Sequence, residues 1–145
     1  MDAITVSIIV AVPVVLLLLI FWRFRWQMAQ LRQAIGLSGE AIVIEPQRGF
    51  YQGSIGGIVS LKTEGVITLT DRRIIFRKPI GKNIEVPLSR ITQVSKNKWF
   101  KGNYRGGREF LILALEDGSE VAFMVKDLGH WMQEVLTGQG RERTT

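Results

Sequence analysis

The chain has 145 residues, the usual size of one globular domain, and carries 19 Lys and Arg against 13 Asp and Glu. It contains no cysteine and a single histidine, His130. A disulfide framework, most metal sites built from thiolates and imidazoles, and Cys-His or Ser-His chemistry are therefore largely excluded. The net charge of +6 favours an anionic partner, which would be a nucleic acid or a phospholipid surface.

The N-terminal segment is apolar without interruption. Residues 4–22, "ITVSIIVAVPVVLLLLIFW", carry no ionisable side chain and would form a helix of roughly 28 Å, close to the thickness of a bilayer's hydrocarbon core. Pro13 lies inside this stretch, and proline is tolerated in membrane spans. A cleavable signal peptide is the alternative, but no basic region precedes the apolar run and no small-residue cleavage site follows it. The segment predicts a single transmembrane helix.

Flanking charges predict the orientation of this span. Arg23, Arg25 and Arg32 follow it closely, whereas Asp2 precedes it. Because positive charges stay on the cytoplasmic side, we expect a cell-membrane protein with its N-terminus outside and its C-terminal domain in the cytoplasm. Trp22 and Trp26, together with Arg23 and Arg25, are expected at the membrane interface, where an aromatic belt would lie. Ordinary helix packing is the alternative role for the two tryptophans.

The helical pattern continues beyond the apolar run. Phe24, Met28, Leu31 and Ile35 recur at helical spacing, so one helix is predicted over residues 3–35, with Gly36 and the following "LSG" as its stop. The apolar stripe would lie in the interfacial plane, pack on its own domain or bind a second helix, and packing on its own domain is favoured. Residues 36–56 are predicted to be a linker or the start of the domain.

Seven short β-strands are predicted after this linker. They are "IGGIVSLKT", "GVITLT", "RRIIFRK", "NIEVPL", "RITQVSK", "EFLILALE" and "EVAFMVK". Links such as "DR" and "DGS" are too short for parallel crossovers, so antiparallel meander connections are expected. An earlier piece, "EAIVIE", is compatible with either a further strand or the end of the linker.

A helix follows the strands. One stripe at helical spacing is formed by Leu128, Trp131, Met132, Val135 and Leu136. Asp127 is the expected N-cap and Gly138 the expected terminator, and residues 138–145 are predicted to be a disordered tail. Because so short a helix is not stable alone, its stripe is expected to cover an open end or face of the sheet.

The order of these elements resembles the pleckstrin-homology-like (PH-like) superfold. "GVITLTDRRIIF" is similar to a hairpin motif of bacterial PH-like and GRAM domains, and "VPLSRITQV" and "EDGSEVAFMV" extend the similarity. The resemblance implies a mainly β fold: a PH-like antiparallel β-barrel or sandwich of about seven strands over residues 57–137, with a C-terminal capping helix. It also implies fold roles for a set of positions: Thr70 and Asp71 in the hairpin turn, Ile74 and Phe76 in the core, Pro87 and Leu88 at a corner, and Trp131 as the barrel plug.

No catalytic constellation is found in the sequence. Glu116, Asp117 and Glu120 fall in a hairpin, where carboxylates commonly solvate a turn. His130 has no evident partner, and neither "GSIGG" nor "RGGR" links a strand to a helix as phosphate-cradling loops do. We expect neither an enzyme nor a cofactor or metal site.

Two basic segments are the candidate binding sites. The first, "KNKWFKGNYRGGR" at residues 96–108, contributes Lys96, Lys98, Trp99, Phe100, Lys101, Tyr104, Arg105 and Arg108. The second is a patch of Arg72, Arg73, Arg77, Lys78 and Lys82. The first segment would cap the barrel with its charges solvated, contact anionic lipid, or form a protein interface, since Arg and aromatic residues are enriched at interfaces. Basic residues interleaved with aromatics also suit single-stranded nucleic acid, which an anchored chain makes improbable.

These features predict a membrane-anchored, non-catalytic binding module. A protein-interaction role, as an accessory subunit of a larger membrane complex, is the favoured hypothesis. Binding of anionic phospholipid headgroups through the basic loops is the alternative.

Overall fold

The computed structural model describes residues 2–56, 62–104 and 106–144. The elements are, in chain order, helix α1 (Ala3–Ser38), strands β1 (Ile42–Ile55), β2 (Thr63–Thr70), β3 (Arg73–Arg77) and β4 (Ile84–Pro87), a 3₁₀ turn (Leu88–Arg90), strands β5 (Ile91–Asn97), β6 (Trp99–Phe100), β7 (Asn103–Tyr104), β8 (Phe110–Leu115) and β9 (Glu120–Met124), and helix α2 (Leu128–Thr144).

Seven strands form one antiparallel sheet in the order β4-β3-β2-β1-β9-β8-β5. Six of the predicted strands correspond to β2, β3, β4, β5, β8 and β9. Because the order begins at β4 and ends at β5, the sheet is open and does not close into a barrel. The mainly β, antiparallel fold with a helix at each end is confirmed.

The seventh strand of the sheet is β1, which lies in the stretch predicted as a linker or the start of the domain. It contains most of "EAIVIE", whose structure the sequence left open. Of the predicted strand "IGGIVSLKT", Ile55 is the last residue of β1 and Thr63 the first of β2, and residues 57–61 lie outside the described residues. The long strand β1 pairs with β2 through its first part and with β9 through its last part, so it joins the two halves of the sheet.

The main core lies on the inner face of the sheet. Tyr51, Phe76 and Phe123 are fully buried there, with ring centroids 5.6 to 6.0 Å apart. Trp131 and Val135 of α2 pack into the same cluster. Ile74, Phe76 and Trp131 therefore occupy the core positions that the family resemblance implied.

The outer face of β1, β2 and β3 is covered by the second half of α1. Leu31 and Ile35 are 3% and 1% exposed and share a cluster with Val66 and Ile75, and Phe24 packs against it. The expectation that the stripe packs on its own domain is confirmed. The helix continues to Ser38, three residues beyond the predicted end, and Gly39 terminates it in the left-handed conformation at φ 77°.

Helix α2 begins as predicted, but it ends later. The Asp127 carboxylate accepts a hydrogen bond from the His130 backbone N–H at 3.2 Å, which is the contact of an N-cap. Gly138 and Gln139 are buried inside the helix, which continues to Thr144, and the Gln139 side chain donates to the Ile91 carbonyl. The predicted end at Gly138 is therefore wrong: the helix occupies residues 138–144 of the predicted tail, and α2 contacts β5 and the 3₁₀ turn.

Candidate functional site

The first half of α1 is exposed and apolar. Among the described residues, α1 is the one helix long and apolar enough to cross a membrane. Trp22 and Trp26 are 73% and 57% exposed, and the Arg25 guanidinium lies 5.8 Å from the Phe21 ring centroid. Arg23 and Arg25 are exposed as well, so the four residues predicted for the membrane interface all lie on the helix surface.

Contacts along α1 show which end of the sheet lies toward the apolar half of the helix. Arg32 pairs with Glu45 at 2.7 Å, and about two turns closer to the apolar half the Phe24 ring contacts Arg48. The part of β1 nearest the apolar half of α1 is therefore the part that leads from Arg48 to Phe50. At that end β2 begins and β3 ends, so the β3–β4 loop lies on the side of the domain nearest the apolar segment.

The β3–β4 loop carries part of the predicted basic patch. Lys78 and Lys82 flank Ile80, whose side chain is 87% exposed. Ile80 was not among the predicted site residues. The sequence feature that could have identified it is a single large apolar residue between polar and turn-forming residues in "KPIGK". We call residues 78–82 the basic tip.

Of the other predicted patch residues, Arg77 adjoins Lys78, whereas Arg72 and Arg73 lie elsewhere. Arg72 and Arg73 follow the β2–β3 turn at the opposite end of the sheet. Arg73 pairs with Glu40 at 2.8 Å and with Glu85 at 2.7 Å, and Arg77 donates to the Gln30 Oε1 atom of α1 at 2.7 Å. Hence the five cations do not form one surface, and Arg73 and Arg77 hold structural contacts.

Glu40 is the centre of the network around Arg73. Its side chain is 6% exposed and accepts a hydrogen bond from the Thr70 hydroxyl at 2.6 Å. Burial acts to raise the pKa of Glu40, but hydrogen bonds from Thr70 and Arg73 and the charge of Arg73 outweigh it and lower this pKa. The network therefore ties the start of the domain to the β2–β3 turn.

The first basic segment is a folded hairpin. Strands β6 and β7 pair through Trp99 with Tyr104 and Phe100 with Asn103. The two turn residues, Lys101 and Gly102, have φ of 52° and 74°, the left-handed values that a two-residue type I′ turn requires. The Trp99 and Tyr104 rings lie with centroids 4.9 Å apart and are 56% and 50% exposed.

This hairpin packs on the outer face of β8 and β9. Phe100 is 4% exposed and packs with Phe110, Ile112 and Ala122, and the Lys101 ammonium donates to the Ser54 carbonyl of β1. Phe100 therefore has the covering role that one interpretation of the sequence assigned to the aromatics, whereas Trp99 and Tyr104 present their rings to the outside. Lys96, Lys98 and Arg108 are exposed, and Arg105 lies outside the described residues.

A cleft of about 560 Å³ opens beside the hairpin, where β9 leaves β1 and β2 begins. Its charged lining residues are Arg48, Arg108, Lys126, Glu64 and Glu109, and its apolar ones are Phe50, Met124, Val125 and Leu128. We call it the side cleft. Of its charged residues, only Arg108 was among the predicted site residues. Glu109 follows it in the chain, whereas Arg48, Glu64 and Lys126 come from separate parts of the chain.

The carboxylates of the β8–β9 turn have a structural contact. The Asp117 carboxylate accepts hydrogen bonds from the Ser119 hydroxyl and, at 2.9 Å, from the Ser119 N–H. These bonds, with the charge of Arg90, lower the pKa of Asp117. Such a shift is opposite to the raised pKa that a general acid needs near neutral pH.

Comparisons with known proteins give the fold. No family model and no curated protein matches the sequence. One similar solved structure is the N-terminal PH domain of Vps36, at 21% identity and a TM-score of 0.53; the match covers 74% of this chain and 85% of that one. Another is the C-terminal domain of an unknown protein from Leishmania infantum, at 14% identity and a TM-score of 0.50; that match covers 77% of this chain and 94% of the other. The chain therefore has a PH-like fold.

Proposed function

We propose that this protein is a non-catalytic binding module anchored in the cell membrane by α1, with its PH-like domain resting on the cytoplasmic leaflet. In this arrangement the basic tip contacts anionic headgroups and Ile80 enters the interface. The proposal combines a fold that serves binding with a helix that can cross a bilayer and an exposed basic loop on the side nearest that helix.

The unbroken course of α1 is the observation that supports this most directly. Trp22 ends the apolar stretch, and Phe24, two residues or about 3 Å of helix rise later, already packs on the domain. No flexible linker separates the span from the sheet, so the domain is held against the leaflet. Because Leu31 and Ile35 of the same helix are part of the folded domain, a retained anchor is favoured over a cleaved signal peptide.

The charges near this surface have the sign that a cytoplasmic leaflet attracts. Arg23 and Arg25 follow the apolar stretch, and Lys78 and Lys82 flank Ile80. Each such cation contributes about 1 kcal/mol near an anionic surface, within a Debye length of about 8 Å. The attraction orients a domain that the helix has already brought to the membrane.

Site-directed spin labelling tests this arrangement. Because the chain has no cysteine, Ile80→Cys and Arg72→Cys each give one thiol for a nitroxide label. The full chain is reconstituted in nanodiscs of equal parts phosphatidylcholine and phosphatidylglycerol. We expect the label at position 80 to be relaxed by oxygen, which concentrates in the bilayer, and the label at position 72, at the far end of the sheet, by a water-soluble nickel chelate. Equal exposure of both labels to the nickel chelate would refute the proposal.

A protein partner is the second candidate function, and the exposed ring pair of Trp99 and Tyr104 supports it. Aromatic side chains are enriched at the centres of interfaces, and the hairpin places these two rings with their centroids 4.9 Å apart. As an accessory subunit, the protein would co-purify with a membrane complex in mild detergent, and Trp99→Ala would release it while Lys98→Ala would not. Migration of the wild-type chain alone in its micelle would contradict this role.

A further inference from the structure

Hairpin β6–β7 rests on the main sheet without being part of it. Among the described residues, its two-residue strands pair with each other and with no strand of the seven-stranded sheet. A two-stranded hairpin has little stability of its own, so contacts with the outer face of the sheet hold it in place. Phe100 packs there, and the Lys101 ammonium donates to the Ser54 carbonyl. Gly106 and Gly107 follow the hairpin in the left-handed region, at φ of 60° and 83°, and allow the chain to turn there.

A buried polar side chain lies where the hairpin meets β1. Gln52 is fully buried, and neither its amide nitrogen nor its amide oxygen has a hydrogen-bond partner in the described part of the chain. It lies at the β-bulge of β1, directly before Gly53, which pairs with Ala122. Phe100 of the hairpin packs with Ala122, and a Cβ added at Gly53 would lie 3.9 Å from the Lys101 side chain. The closed hairpin therefore covers the part of β1 that contains Gln52.

The unpaired amide opposes closure of the hairpin. A buried amide that has lost its hydrogen bonds to water and gained none from the protein is unfavourable, more so than a paired amide is favourable. In the closed state this applies to Gln52, whereas opening of the hairpin returns both polar atoms of its side chain to water. Burial of Phe100 acts in the other direction and favours the closed state. Closure is thus a balance between one apolar and one polar contribution in the same contact.

We propose that hairpin β6–β7 is a hinged cover, which opens while the sheet beneath it stays folded, and that the desolvated amide of Gln52 sets how readily it opens. Opening exposes the apolar surface on which Phe100 packs, together with this amide. It also moves the Trp99–Tyr104 ring pair away from its closed position. A protein that binds the ring pair selects one state of the cover. The opening itself needs neither a partner nor the proposed membrane position of the domain.

Thiol labelling of the full chain in mild detergent tests whether the cover opens. Because the chain has no cysteine, Ala122→Cys gives one thiol beneath the hairpin, and Val121→Cys gives one on the opposite face of β9, in the main core. Both positions are fully buried. We expect a maleimide to modify position 122 about a hundredfold faster or more, because local opening needs less free energy than global unfolding. Equal rates would mean that the hairpin opens only when the sheet unfolds, and would overturn the proposal.

Hydrogen–deuterium exchange of the full chain tests the role of Gln52. Gln52→Met replaces the amide by an apolar group of similar size. We expect it to slow exchange of the Phe100 and Asn103 amides, which pair across the hairpin, about tenfold, because the closed state no longer contains an unpaired polar group. The matched control is Gln47→Met, since Gln47 lies on the same strand but accepts a hydrogen bond from the Trp131 indole at 3.4 Å. This control is expected to leave exchange in the hairpin unchanged.

Two outcomes of the exchange experiment would refute the role of Gln52. Wild-type exchange of the hairpin amides in Gln52→Met, or equal slowing in Gln47→Met, would show that the unpaired amide does not set the opening. The double variant Ala122→Cys with Gln52→Met gives an independent measurement, since its thiol should react about tenfold more slowly than that of Ala122→Cys alone. None of these results depends on the membrane position of the domain, which the spin labels at positions 80 and 72 report separately.

Discussion

Arg48 of β1 and Phe24 of α1 form a cation–π contact, with the guanidinium carbon 5.1 Å from the ring centroid. Such contacts contribute about 0.5–1 kcal/mol at exposed sites. The contact matters more for position than for energy, because it joins the middle of the longest strand to a helix residue just past the apolar stretch. The domain and the helix are therefore one folded unit.

Because the second half of α1 packs on the sheet, we expect α1 to stabilise the domain. Ile35 is 1% exposed in the contact with Val66 and Ile75, whereas Leu37 on the same helix is 84% exposed. Ile35→Ala is expected to lower the free energy of unfolding by about 3 kcal/mol, because it leaves a cavity under the helix. Leu37→Ala should change it by less than about 0.5 kcal/mol. Urea unfolding of the full chain in mild detergent measures both, and equal effects would show that α1 is only loosely attached.

Replacing either of two glycines near the end of α1 by alanine should change the stability of the protein, and the two changes should have opposite signs. Gly36 lies inside the helix, where an added Cβ would meet open space, whereas Gly39 has φ of 77°. Gly36→Ala is expected to stabilise the protein by about 0.5–1 kcal/mol, because alanine loses less backbone entropy in a helix. Gly39→Ala is expected to destabilise it by about 1 kcal/mol, since a Cβ is strained in the left-handed region. A shift of both urea midpoints in the same direction would contradict this assignment of the helix end.

The Glu40 network predicts a dependence of stability on pH. Because the pKa of Glu40 is lowered by folding from an ordinary value of 4.5, its stabilisation is present above that value and is lost as the pH falls through the lower, folded pKa. The difference in free energy of unfolding between the wild type and Glu40→Gln should therefore be largest near neutral pH and shrink below pH 4.5.

A matched control for this pH dependence is Glu45→Gln. Glu45 also pairs with an arginine, but both side chains are more than half exposed, so little stabilisation is expected from the pair. If the Glu45 variant behaved like the Glu40 variant across the titration, burial of the Glu40 network would not be the cause.

The hairpin β6–β7 contains one buried aromatic side chain, Phe100, and two exposed ones, Trp99 and Tyr104. Phe100→Ala is expected to cost about 3 kcal/mol, because Phe100 is buried against Phe110, Ile112 and Ala122. Trp99→Ala should cost less than about 1 kcal/mol, because more than half of its side chain is exposed. Thermal unfolding in detergent compares the two, and a larger loss for Trp99→Ala would mean that the exposed ring pair holds the hairpin together.

Patterns that depend on neighbouring residues were readable in the sequence. The apolar stretch of α1, the strands β2 and β3, the N-cap Asp127 and the apolar stripe of α2 follow from local patterns, and each was predicted correctly. The strand β1 was harder to recognise, because Pro46, Gly49 and Gly53 weaken its alternation, and it forms through pairing with both β2 and β9.

The candidate site could be predicted only in part. The basic segments were visible as composition, but their grouping was not, because Arg73 and Lys82 lie at opposite ends of one sheet although nine positions apart. Phe100 and Trp99 are also equivalent in the sequence pattern, whereas packing on β8 and β9 buries the first and exposes the second.

The sequence by itself determined the long apolar helix, the antiparallel β fold and the excess of positive charge, because these follow from hydropathy, local periodicity and composition. The tertiary structure decided where that charge lies. Docking of α1 on β1 and β2 turns the basic tip toward the apolar half of the helix, and the meeting of β1, β9 and α2 assembles the side cleft. Both depend on contacts between residues far apart in the chain, which local pattern cannot encode.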